Sequence, residues 1–131
     1  MPRRRHSQTQ TRRESRANIM DHKQFERLVE QALERLPKVF REKLSNIAII
    51  VEDLPPREPA PGTLLLGLFH GVPMTEKSTF VPTPPDHIFL YQKNIEAVCR
   101  TDEEIRCQVR DTLLHEVGHY FGMSEEELRG I

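Results

Sequence analysis

Residues 115–125 read HEVGHYFGMSE, and how this stretch is read decides the fold. His115 and His119 stand four apart, a spacing that places both imidazoles on one face of a helix, about one turn apart. Glu116, one residue on, is rotated from His115 by about 100°. Two histidines at this spacing can share one ion, and the adjacent carboxylate can reach a metal-bound water instead of the metal. A bound zinc ion lowers the pKa of its water to about 7, and a neighbouring carboxylate then takes the proton as the water attacks a carbonyl. The H-E-x-x-H spacing is the sequence form of that chemistry. Glu116 also lies in an otherwise apolar run, where an unpaired carboxylate costs several kcal/mol or takes up a proton.

Zinc needs a third protein ligand. Twelve residues follow His119 in this sequence, too few for a ligand on a separate downstream helix. In the alternative arrangement a glycine three residues on breaks the helix and returns the chain to the metal. Gly122 stands in that position and Glu125 in the ligand position, so a His115, His119, Glu125 site with one Zn²⁺ per chain is expected, and carboxylate oxygen is an acceptable zinc donor. Glu126 and Glu127 are rivals, readable instead as favourable charge in the first turn of a last helix.

Upstream of the motif, Thr101 and Glu104 form a capping box, and a helix is predicted from Asp102 to Phe121. Its second half, LLHEVGHYF, is apolar nearly all round, which predicts deep burial. Asp111, four residues before His115, is a candidate to orient that imidazole. Cys107 and Cys99 read as core residues. Three strands are predicted before this helix: IAIIVEDL (47–54), TLLLGLFHGV (63–72) and HIFLYQ (87–92), the last with an alternating extension through Ile95 and Val98. Gly67 marks a bulge or a close backbone approach. Tyr91, His70 and Tyr120 are candidate donors to a developing oxyanion. The strand carrying GLFHG and the one carrying IFLYQ are both candidates for an exposed sheet edge beside the helix, a place where an extended peptide can add as a strand.

Near the start, Asp21 and Gln24 cap a helix whose apolar stripe runs Phe25, Leu28, Val29, Ala32, Leu33 and Leu36, closed by Pro37. The expected fold class is therefore α+β, a small mixed sheet packed against this amphipathic helix and a buried active-site helix. The domain is expected over residues 19–131. Residues 1–18 read as a basic mobile tail: residues 1–16 hold six arginines against one glutamate and no leucine, isoleucine, valine or aromatic. That segment carries +5, and with a total of −1 the remainder carries −6. The tail suits weak contact with nucleic acid or an acidic partner. No apolar run approaches the ~18 residues of a membrane span. The absence of an export signal and the two cysteines point to reduced thiols in a cytoplasm.

The segments GLFHGVPMTEKS, IFLYQKNIE and HEVGHYFGMSEEEL together resemble the small bacterial zincin-like metallopeptidases, over residues 20 to 128. The resemblance implies a minimal zincin fold and a zinc peptidase acting on a peptide or protein substrate. It implies Glu116 as general base, with His115, His119 and Glu125 as ligands. Two other readings compete. One is a non-catalytic, metal-stabilised module that binds a peptide or protein. The other is a metal-dependent endoribonuclease of the H-x3-H-x5-H kind, which Glu116 and the missing third histidine disfavour.

Overall fold

The structure is a computed structural model that describes residues 4–11, 20–71, 86–124 and 126–127. Eight elements follow in order: β1 (Arg4–Thr11), α1 (His22–Glu34), α2 (Lys38–Leu44), β2 (Ala48–Glu52), β3 (Thr63–Gly71), β4 (His87–Tyr91), α3 (Gln92–Val98) and α4 (Asp102–Tyr120). The four strands make one sheet in the order β1-β3-β4-β2. Both β1 and β4 pair antiparallel with β3, whereas β2 pairs parallel with β4, so the sheet is mixed.

Both long helices start where their capping residues predict. The Asp21 carboxylate accepts from Gln24 N at 2.8 Å, and the Gln24 side chain accepts in return from Asp21 N. Thr101 Oγ1 accepts from Glu104 N at 3.1 Å. Each such cap contributes about 1 kcal/mol. Helix α4 ends in a Schellman motif: Gly122 has φ +74°, Gly122 N donates to His119 O, and Met123 N donates to Gly118 O. Glycine adopts this left-handed conformation without the steric cost that a Cβ would bring.

The core lies between one sheet face and the helices. Phe25, Leu28, Val29 and Ala32 of α1 meet Ile105, Val109, Leu113 and Val117 of α4, over Leu66 and Phe69 of β3 and Ile88 and Leu90 of β4. At Gly67 the helix packs close against the sheet, since a Cβ there would stand 2.5 Å from Thr112 Cγ2 and 3.1 Å from Phe89 O. The β1 register shifts at the same place, Gln8 facing Gly67 and Thr9 facing Leu65, so both expectations for Gly67 describe what is found.

Toward its start β3 outruns β4, whose last partner is Leu90 opposite Gly67. Side chains supply what the missing strand would. Leu65 N donates to the Glu58 carboxylate at 2.9 Å, and Leu65 O accepts from Asn94 Nδ2 at 2.8 Å, which also reaches Glu58. The proline-rich corner is thereby tied to α3 and β3.

Three expectations are revised here. The tail segment expected to be mobile contributes β1 over Arg4–Thr11. The strand expected to continue through Val98 is instead helix α3. Ile95 and Val98 are three apart, which puts them on one helical face but on opposite faces of a strand, and both are buried. Cys107 is exposed on α4, its thiol 3.8 Å from Glu103; Cys99 is buried, and neither is in a disulfide.

The fold class itself is α+β with a small mixed sheet and several helices. The second half of α4 is largely buried, but the expectation that it is an active-site helix carrying a metal is corrected. Among the described residues no group of three or more His, Cys, Asp or Glu side chains is placed to hold a metal ion.

Candidate functional site

The motif residues all lie in the last turns of α4. His115 and His119 are half-buried and Glu116 is fully buried. His115 Nδ1 lies 3.0 Å from the main-chain carbonyl of Asp111. A protonated Nδ1 donating to that carbonyl leaves Nε2 as the acceptor nitrogen. Asp111 thus orients the ring through its backbone, while its own carboxylate is exposed and lies 3.6 Å from the Arg110 guanidinium.

Glu116 points into the protein. Its Oε2 accepts from the main-chain N–H of Phe69 on β3 at 3.1 Å, and its Oε1 has no hydrogen-bond partner among the described residues. Burial disfavours the charged form and raises the carboxyl pKa to about 8, against the opposing pull of the Phe69 N–H. At neutral pH the carboxyl is therefore mostly protonated, which reconciles it with an apolar surround. The Phe69 ring packs edge-on against Tyr120, with centroids 5.2 Å apart, and Tyr120 meets Phe121 in the same manner at 4.7 Å. Tyr120 is accordingly a packing residue in the joint between α4 and β3.

The remaining oxyanion candidates are not brought to α4. Tyr91 and His70 share a concavity with Glu52, Leu54, Pro56, Leu68 and Phe89, which lies on the sheet face opposite Phe69 and the helix. Tyr91 is buried there in a ladder with Phe89 and His87, its ring 6.5 Å from that of Phe89.

The expected donor set does not assemble among the described residues. Glu125 lies outside them. Glu126 and Glu127 are exposed, and Glu127 is engaged in reciprocal bonds with Ser124 that open the last helical turn. What remains is a pair of half-buried histidines flanking a buried, protonated glutamate. The expected Zn²⁺ ion and the role of Glu116 as base on a metal-bound water are corrected on this finding, while the ligand set His115, His119 and Glu125 includes a residue outside those described. The hydrolase assignment and the two metal-dependent alternatives lose their support with it.

Sequence reasoning did not foresee the Phe69 N–H as the partner of Glu116, nor β1 beside it. The first is a backbone group with no sequence signature. For the second, the β-branched Thr9 and Thr11 are the only signal in RRHSQTQT.

An α+β layer with H-E-x-x-H on a helix packed under a mixed sheet defines a zincin-like class of fold. The zincin-like metallopeptidase family matches residues 44–131, about two thirds of the chain, and the protein belongs to that family. Membership carries the fold; the stricter resemblance, to a minimal zincin with a complete H-E-x-x-H-x-x-G-x-x-E metal site, is corrected by the donor set described above. A solved structure described as a conserved hypothetical protein from Thermo thermophilus is similar at 26% identity and a TM-score of 0.54, covering 84% of this chain and 98% of that one. No curated protein matches. Among the described residues no helix is long and apolar enough to cross a membrane.

Proposed function

We propose that this protein is a zincin-like binding module that holds an extended segment of a peptide or protein partner along β3, beside α4, by main-chain strand pairing. The observation that carries this reading is the pairing of β3. Along Thr63–Gly71 its outer side takes an extended antiparallel segment, Arg4–Thr11, that carries no apolar side chain. A strand held without apolar side chains is held chiefly by its main chain, which is the chemistry of strand addition.

In this reading Glu116 is a positioning residue. Through the Phe69 N–H it fixes the height of β3 over α4, while His115 and His119 line the helix face one turn apart. Residues 19–131 are the binding domain and residues 1–18 a segment appended to it. We infer a cytoplasmic location, where its two cysteines would stay reduced.

The test is selection of extended peptides from a displayed library against the full chain, followed by amide-shift mapping of a selected peptide. Shifts concentrated on Thr63–Gly71 support the reading. Shifts centred on α1, α2 or β2, or a selection that yields no binder, would sink it.

A further inference from the structure

We propose that the partner taken by β3 is a basic extended segment with polar side chains, and that residues 4–11 are its intramolecular competitor, so that the two exclude each other. This rests on the binding reading above and goes further by naming the partner's chemistry and its regulation.

Three observations carry it. The first is register: Arg4 faces Gly71 and Thr11 faces Thr63, so the segment spans the whole length of β3. A partner strand can pair with the outer side of β3 only where β1 lies now. The second is composition. Strands AIIVE, TLLLGLFHG and HIFLY are rich in apolar residues, whereas RRHSQTQT has none. Buried apolar area is the main source of strand retention, at about 25 cal/mol per Å². Releasing β1 therefore forfeits main-chain pairing but removes no apolar side chain of its own. The third is charge. Residues 1–16 carry +5 and the rest of the chain −6. Such a field favours a basic strand and disfavours an acidic one.

The tether gives the competition its strength. Eight residues, 12–19, join β1 to the start of the domain. A short tether holds a segment at an effective concentration of the order of mM, so a free partner must outbind a standing occupant. Its apparent affinity falls in proportion to the fraction of chains with β3 open.

The test uses the full chain and a fluorescein-labelled synthetic copy of residues 1–18 as probe, read by anisotropy. Successive strand N–H groups point to opposite sides, so prolines at two adjacent positions remove one β3-facing donor whatever the phase. In the Ser7→Pro/Gln8→Pro chain the probe should bind at least about tenfold more tightly than in the parent chain. Arg4→Glu/Arg5→Glu, which leaves the strand backbone unaltered, should shift binding in the same direction. A probe with its arginines replaced by glutamine should bind either chain at least about tenfold more weakly. Equal probe affinity in the parent chain and both variants would overturn the competition. Undiminished binding of the arginine-free probe would overturn the assignment of partner class. Peptides selected on β3 that resemble neither probe would overturn the inference while leaving the binding reading intact, and failure of every peptide would overturn both.

Discussion

The main-chain N–H of Phe69 donates to the Glu116 carboxyl at 3.1 Å, joining the middle of β3 to the one acidic side chain that α4 buries completely. Helix and strand are locked in height by a bond between a backbone group and a titratable side chain. Protonation of that side chain therefore bears on the stability of the joint.

Replacing Glu116 with glutamine should flatten the dependence of stability on pH. The folded-state pKa of Glu116, about 8, lies above the ordinary value of 4.5. Between these values the folded chain binds more protons than the unfolded one, so this group's contribution declines as pH rises from 4.5 to 8 and then levels. Glutamine keeps an acceptor for the Phe69 N–H and never ionises. Urea midpoints of the parent chain should fall relative to the Gln variant across that window, and parallel curves would contradict the burial argument.

Glu116→Ala differs from Gln. It leaves the Phe69 N–H without this acceptor and opens space in the joint, so it should cost about 2–4 kcal/mol. Chemical denaturation at pH 6 measures it, and a loss no larger than that of the Gln variant would mean the hydrogen bond matters little.

Gly67→Ala should destabilise the chain by about 1–3 kcal/mol, because the new methyl would stand 2.5 Å from Thr112 Cγ2. Adding Thr112→Ser removes the opposing methyl and should recover part of the loss, the remainder coming from the 3.1 Å approach to Phe89 O. A double variant no more stable than the single one would place the strain elsewhere.

Glu58→Ala should free the Leu65 amide, which the Glu58 carboxylate holds at 2.9 Å where β3 outruns β4. Exchange of that amide with solvent should quicken by at least about tenfold, with a loss of about 1–3 kcal/mol in stability. An unchanged exchange rate at Leu65 would show that another group protects it.

Much of the scaffold was legible in the sequence because its signals are local. Asp21 with Gln24 and Thr101 with Glu104 announce two helix starts, Gly122 announces a stop, and the apolar runs at 47–54, 63–72 and 87–92 announce three strands, found over 48–52, 63–71 and 87–91. Segment β1 was not legible, since its hold comes from pairing with β3 and not from its own side chains. Helix α3 was misread because a short apolar run fits both periods until Ile95 and Val98 are seen to be three apart. The site was half legible. The sequence shows a carboxylate in an apolar helix and offers metal-bound water as its partner. In the structure a strand N–H, together with burial that favours the protonated carboxyl, meets the same physical demand instead.

The measurement that tests the central claim most directly is amide hydrogen exchange of the full chain, with and without a saturating unlabelled copy of residues 1–18. The account predicts that the amides of Arg4–Thr11 lose protection as the added strand replaces them, while those of Phe69 and its β3 neighbours stay protected. Unchanged exchange in both strands, with the peptide unbound or bound elsewhere, would contradict it.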